Sequence, residues 1–346
     1  MEIMEKSKWY ERKNFRILAG VLAGVLIITT VGYSLLRARA QDLYPDIESS
    51  DEALKQKSQE NAGEYNLAEE NSILDEYADL RKDINAGDYE SAIEKTNTLL
   101  SSIDDAAVKE QFHELLSELY YNVGRYQESL DEADICLGSS EEVSGALYYV
   151  RGLSNLQLEE YTAAASDFIS ADKFGFEDKL GISLQTAIAS FSGKDYENGA
   201  KYAENYLGYL GDLKTVVNAE DGENLSNENL CRYIAALSYL HLEDYKASID
   251  HLDEILENGD DSELLYYRGI NKMALEQYAQ AAADFKKADE QGKKDTDLYY
   301  DLGVCQISNG EIDEGIENLK IVINKNDKPE LSTAATNIIT AIAQGN

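Results

Sequence analysis

Proline is nearly missing from this chain: Pro45 and Pro329 are the only two in 346 residues. Each interior proline would remove a backbone donor and cost a helix about 3 kcal/mol, so its scarcity leaves room for a wholly helical chain. Cysteine is equally scarce. Cys136, Cys231 and Cys305 are odd in number and far apart, which argues against a disulfide framework and suits small buried hydrophobes. None lies near the end of the N-terminal apolar run, so a lipid-modified cysteine there is excluded. The three histidines, His113, His241 and His251, stand at no metal-ligand spacing and beside no cysteine, which argues against zinc or haem. Asp295, Asp297 and Asp301 have the spacing of a calcium loop, but the turn glycine and closing glutamate are missing. No strand is predicted, so no glycine-rich phosphate loop can follow one. Carboxylates are so many that any pair can be found, and pairs therefore say nothing about acid–base catalysis. The expectation is a protein that is not an enzyme, with no catalytic residue, metal or cofactor.

Positive charge is the other shortage. Lys and Arg number 31 against 66 Asp and Glu, a net of −35. Residues 1–40 carry seven basic and three acidic side chains, so residues 41–346 hold −39. A field of that sign repels nucleic-acid phosphates and anionic headgroups, and excludes both as partners of this region. It is either a solvated surface or a means of steering a basic partner.

What is present is a repeat. One pattern recurs seven times, anchored on Tyr89, Tyr126, Tyr161, Tyr196, Tyr245, Tyr278 and Ile312. Three residues after each anchor stands a small residue: Ala92, Ser129, Ala164, Gly199, Ser248, Ala281 and Gly315. Nine before it stand Leu80, Ser117, Gly152, Ala187, Ala236, Gly269 and Gly303. The spacings are 37, 35, 35, 49, 33 and 34, the period of a helical-hairpin array. Small residues at both offsets let the two helices of a hairpin approach to roughly 8–10 Å. The anchor tyrosine fills the turn, its hydroxyl reaching the rim. Gly87, Gly124 and Gly310, two before their anchors, mark where first helices stop. The spacing of 49 exceeds the period by about 15, near Gly208 to Leu225. That excess reads either as an edge insertion beside a binding face or as an unconstrained loop.

These units resemble tetratricopeptide repeats, most clearly in Gly152…Tyr161…Ala164…Phe168…Ala171 and Gly269…Tyr278…Ala281…Phe285…Ala288. The resemblance covers about residues 71–328 and implies an all-α fold, an α-solenoid of about seven helical hairpins in a right-handed superhelix. Residues 329–346, led by Pro329, read as a C-terminal capping helix. The family's early Trp and closing Pro are missing from every copy, and Arg151 and Arg268 stand where a Leu is usual.

The N-terminus carries a different signal. Ile17–Leu36 is a run of 20 uncharged, mostly apolar residues, enough to span ~30 Å of hydrocarbon as a transmembrane helix. Five basic residues lie within residues 1–16 and only Arg37 and Arg39 follow closely. That asymmetry predicts a cytoplasmic N-terminus and an extracytoplasmic repeat domain. A cleaved signal peptide ending at Ala38-Arg39-Ala40 is the competing reading. Residues 37–70 then form an acidic tether.

The resemblance also implies where partners sit, because in this family the first helix of each hairpin lines the concave face. Positions twelve, eight and five before the anchor there give Tyr149, Leu153 and Leu156, then Leu184, Ile188 and Phe191. Further copies give Tyr233, Leu237 and Leu240, then Tyr266, Ile270 and Met273, and finally Tyr300, Val304 and Ile307. The Asn and Lys set with which some members grip a C-terminal carboxylate is lacking, with only Asn85 and Asn122 suggestive. The apolar ladder is either a groove for a protein or peptide partner or packing between neighbouring units. The expected function is a single-pass membrane scaffold or chaperone-like adaptor of a bacterial cell envelope. A homo-oligomeric organiser of a membrane assembly is one alternative, and a cytosol-facing adaptor of inverted topology is another.

Overall fold

The computed structural model describes residues 67–102, 106–139, 144–216 and 222–344. Ile17–Leu36 and the tether up to residue 66 lie outside the described residues, and helix already begins at Leu67. Among the described residues no helix is long and apolar enough to cross a membrane. Their regular structure is fifteen α-helices, with no strand.

The helices fall into two compact units, one ending at Gly193 and the other beginning at Lys194. The first holds α1 (Leu67–Ala86), α2 (Tyr89–Ser102), α3 (Ala106–Asn122), α4 (Tyr126–Ser139), α5 (Gly145–Gln157), α6 (Tyr161–Lys173) and α7 (Lys179–Ser192). The second holds α8 (Tyr196–Val216), α9 (Gly222–His241), α10 (Tyr245–Leu256), α11 (Ser262–Ala274), α12 (Tyr278–Glu290), α13 (Thr296–Ser308), α14 (Ile312–Lys325) and α15 (Pro329–Ala343). Within each unit every helix packs on the next in sequence. In places a first helix also touches the first helix of the following hairpin, as α5 touches α3 and α7, and α13 touches α11 and α15.

All seven anchors are the opening residues of the even-numbered helices from α2 to α14. The chemistry of the preceding residues explains why. Asp88, Asp195 and Asp244, each one before an anchor, accept from the backbone N–H of Ser91, Asn198 and Ala247, which caps the helix that follows. Two before the anchor the chain turns through positive φ in every copy. Glycine occupies that place only at Gly87, Gly124 and Gly310. Glu159, Lys194, Glu243 and Glu276 adopt it at φ 62, 65, 61 and 59. A side chain in this region costs about 1 kcal/mol against glycine. Replacing Glu159, Glu243 and Glu276 together by glycine is therefore expected to stabilise the protein by roughly 2 kcal/mol. Thermal denaturation reads this as a higher Tm, and a lowered Tm would show that these turns are not strained.

The close crossings lie where the small residues predict them. A Cβ placed on Gly152 would stand 2.8 Å from Phe168, and one on Gly315 would stand 2.7 Å from the Gly303 carbonyl. In the second copy serines serve instead: Ser117 Oγ donates to the Ser129 carbonyl at 2.9 Å, and Ser129 Oγ donates to that of Ser117 at 2.8 Å. These hydroxyls satisfy themselves across the crossing, which lets a polar residue stand where backbones nearly touch.

Among the described residues the long spacing is taken up by helix. α8 runs for 21 residues and α9 for 20, where α5 and α6 have 13 each. Residues 208–216 and 222–225, read from sequence as an insertion, belong to the two helices, and 217–221 lie outside the described residues. Seven or eight extra residues lengthen each helix by ~11 Å. Tyr202, Tyr206 and Leu210 bury one side of α8 while Tyr209 is 41% exposed, the alternation of an amphipathic helix.

At the other end, α15 lies on α14 and α13. Displaced by the period of 34, its Thr336, Asn337 and Thr340 correspond to Leu302, Gly303 and Gln306 of α13. The α13 residues are buried and the α15 residues are exposed. α15 thus carries polar, exposed side chains at the positions that on α13 are buried against a second helix.

Candidate functional site

The fifteen residues of the apolar ladder divide by burial. In the first unit Tyr149, Leu153, Leu156, Ile188 and Phe191 are buried, and Leu184 is half-buried. In the second, Leu237, Leu240, Tyr266 and Ile270 are buried, whereas Tyr233, Met273, Tyr300, Val304 and Ile307 are half-buried. Nine of the fifteen are thus buried among the helices and six are half-open.

The tyrosines show why. The Tyr149 ring lies 4.4 Å from that of Phe176 and 5.5 Å from that of Phe168, fully enclosed. Tyr266 packs on Phe285 at 5.6 Å and donates its hydroxyl to Asp301 Oδ2 at 2.7 Å. Lys293 Nζ stands 4.5 Å above the same ring, held by Glu263 at 2.7 Å and Asp295 at 2.8 Å. Asp301 lies eleven residues before its anchor, on the next first helix. The same sequence offset relates Gln185 to Tyr149 and Tyr267 to Tyr233. Burial pushes the Tyr233 phenol up, with Tyr267 and the Glu263 and Asp261 carboxylates adding to it. Tyr149 Oη and Gln185 Oε1 are both buried without a hydrogen bond, a donor and an acceptor at the offset that Tyr266 and Asp301 join. At Tyr266 the ring fills its own hairpin and the hydroxyl reaches the next one at Asp301, a contact that Phe would lose. The three aspartates spaced like a calcium loop are each engaged. Asp295 caps α13 through the Leu298 N–H, Asp297 takes Lys328 Nζ at 2.6 Å, and Asp301 takes Tyr266.

Sequence reasoning missed a second set of residues. Six before and six after the anchor, side chains meet across the hairpin in five copies. Lys95 pairs with Asp83, Asn155 donates to Asp167 at 2.8 Å, and Lys272 donates to Asp284 at 2.7 Å. Tyr239 stacks on His251 at 5.8 Å, and Asn318 donates to Gln306 at 2.6 Å. Arg151 and Arg268, which depart from the family pattern, extend two of these pairs into ion clusters. Each reaches an aspartate of its own hairpin (Asp167, Asp284) and one of the preceding second helix (Asp134, Asp253). The signal was a constant separation of twelve residues, hidden because a different pair of residue types fills it each time.

On comparison with known proteins, residues 272–338 match the tetratricopeptide repeat family. No curated protein matches the chain. Among solved structures, a tetratricopeptide repeat protein from Parabacteroides merdae is 18% identical, covering 80% of this chain and 99% of that one, with a TM-score of 0.37. The apo form of RapI is 14% identical over 78% of this chain and 81% of its own, at 0.46. YrrB, described as a TPR protein with an unusual peptide-binding site, is 15% identical over 59% and 97%, at 0.45.

Proposed function

Starting from a chain whose residues 272–338 are tetratricopeptide repeats, we propose that it is a membrane-anchored scaffold or adaptor that docks protein or peptide partners on its first-helix face. One observation carries this reading. On α13, Tyr300, Val304 and Ile307 are all half-open, whereas on α5 the same positions, Tyr149, Leu153 and Leu156, are buried. Spaced four and three apart, the α13 residues share one helix face, the arrangement on which an apolar segment of a partner seats. The contact surface is the half-open subset of the second unit, which also includes Tyr233 and Met273, and Leu184 is the half-open member of the first unit. Ile17–Leu36 is the proposed anchor, and the basic N-terminus is proposed to face the cytoplasm.

The test replaces Tyr300 and Val304 together by alanine and captures partners in cells with a crosslinker. Partner yield is expected to fall about tenfold while the melting temperature moves by only a few degrees. Unfolding of the variant would assign the α13 face to packing. A cysteine at Ser50, in a chain lacking the native cysteines, reports topology: labelling by a membrane-impermeant maleimide in intact cells is expected. Labelling only after permeabilisation would reverse the orientation.

A further inference from the structure

Two copies of the array carry the same ion cluster and differ by one charge. Between α10, α11 and α12, Arg268 donates to Asp253 at 2.6 Å and to Asp284 at 2.6 Å. Lys272 Nζ adds a third contact, 2.7 Å from Asp284 Oδ2. Two cations meet two carboxylates. Between α4, α5 and α6 the equivalent residues are Arg151, Asp134 and Asp167. Arg151 spans them in the same way, at 2.8 Å and 2.6 Å. Asn155 stands in the place of the lysine and gives only an amide hydrogen bond to Asp167, at 2.8 Å. One cation is left for two carboxylates, and the shorter asparagine leaves space. A depression of about 290 Å³ opens there, lined by Leu130, Asp134, Arg151, Asn155, Ala163 and Asp167.

We propose that this depression receives the ammonium group of a lysine side chain borne by a protein partner. Lys272 shows the fit: in the sister cluster an ammonium occupies the corresponding place against an equivalent Asp–Arg–Asp frame. Asp134 is 65% exposed and can turn a carboxylate oxygen to an incoming cation, while Asp167 is buried and is screened far less by salt. A stem four methylenes long finds Leu130 and Ala163 along the wall. Beside the frame Tyr148 stacks on Phe174 at 5.2 Å, and Phe174 is 47% exposed, so an apolar residue flanking the lysine has a surface to meet. The net −39 of residues 41–346 draws in a basic segment from solution. This inference rests on the docking reading only for the source of the lysine, since the residues lining the depression belong to α4, α5 and α6 and none to α13.

The experiment uses the full chain in detergent micelles with carbon-13 labelled alanine methyls. The methyl of Ala163 reports the depression and that of Ala283 reports the sister cluster. Nα-acetyl-lysine methylamide is expected to shift Ala163 saturably, and Nα-acetyl-norleucine methylamide is expected to leave it in place. Asn155→Lys supplies the sister cluster's own residue and should weaken binding at least about tenfold without lowering the melting temperature. Lys272→Asn should make Ala283 respond where it did not before. Unchanged binding in Asn155→Lys, or an equal response of Ala283 in the unaltered chain, would overturn the site. Tighter binding of 1,5-diaminopentane than of the lysine amide would overturn the protein source and assign the site to free amines. No shift at Ala163 with any amine would remove the pocket and leave the α13 docking face standing.

Discussion

Gly269→Leu is expected to destabilise the second unit by about 3 kcal/mol or more, among the larger effects a single substitution produces. The first atom of the new side chain would already stand 2.5 Å from Phe285 Cε1 and 2.7 Å from Cδ1. The ring cannot swing aside, because Phe285 is wholly buried and packed against Tyr266. Either the backbones of α11 and α12 part or the ring leaves the core. Gly208→Leu is the control, since nothing lies within 4 Å of a Cβ at that site on α8. The urea midpoint should fall sharply for the first variant and hardly move for the second. Adding Phe285→Leu should return part of the loss, because the seventh copy already sets Leu319 against Gly303. Equal midpoints for Gly269→Leu and the parent would mean that the crossing lies elsewhere.

Tyr266 carries the second large effect. Tyr266→Ala empties the space beneath Phe285 and removes a donor from Asp301, for an expected loss of about 4 kcal/mol. Tyr266→Phe keeps the ring and removes only the hydroxyl, leaving an Asp301 side chain that is 8% exposed short of a donor, for about 1–3 kcal/mol. The difference between the two variants separates ring from hydroxyl. The same residue has an alkaline signature. Burial and the Asp301 carboxylate hold its phenol well above the usual 10.0, and burial likewise raises Tyr149 and Tyr233. A group whose folded pKa is raised stabilises fully below its ordinary value and loses that contribution as pH climbs past it. Stability should therefore be flat below pH 10 on account of these tyrosines and fall above it. Their tyrosinate absorbance should appear together with unfolding, and its appearance in the folded protein would show that the rings are open to solvent.

The sequence revealed most about backbone geometry. The anchors proved to be helix starts, and Gly152, Gly269, Gly303 and Gly315 stand at close crossings, because each needs a particular size or φ whatever surrounds it. Side-chain direction was less legible. Tyr149, Leu153 and Leu156 on α5, and Tyr266 and Ile270 on α11, are buried on helices that touch the next first helix, and one helix pattern cannot tell a neighbour of the same chain from a foreign one. A sharper reading was nonetheless available. Tyr149, Tyr233 and Tyr266 are each matched by a polar residue at one offset in the following copy (Gln185, Tyr267, Asp301), while Leu184 is matched by Ile234. The lengthened α8 and α9 escaped notice because Gly208, Gly211 and Gly222 resemble loop punctuation, yet isolated glycines are tolerated in helices supported by packing.

The pairs six residues on either side of each anchor also bear on how such an array can change over time. The first copy sets Asp83 against Lys95, and the sixth sets Lys272 against Asp284, the same contact with its sign reversed. A recombinant that joined the first helix of one copy to the second helix of the other would bring Asp83 against Asp284, or Lys272 against Lys95. The first and sixth copies thus carry opposed locks and keys, and their helices cease to be spare parts for one another.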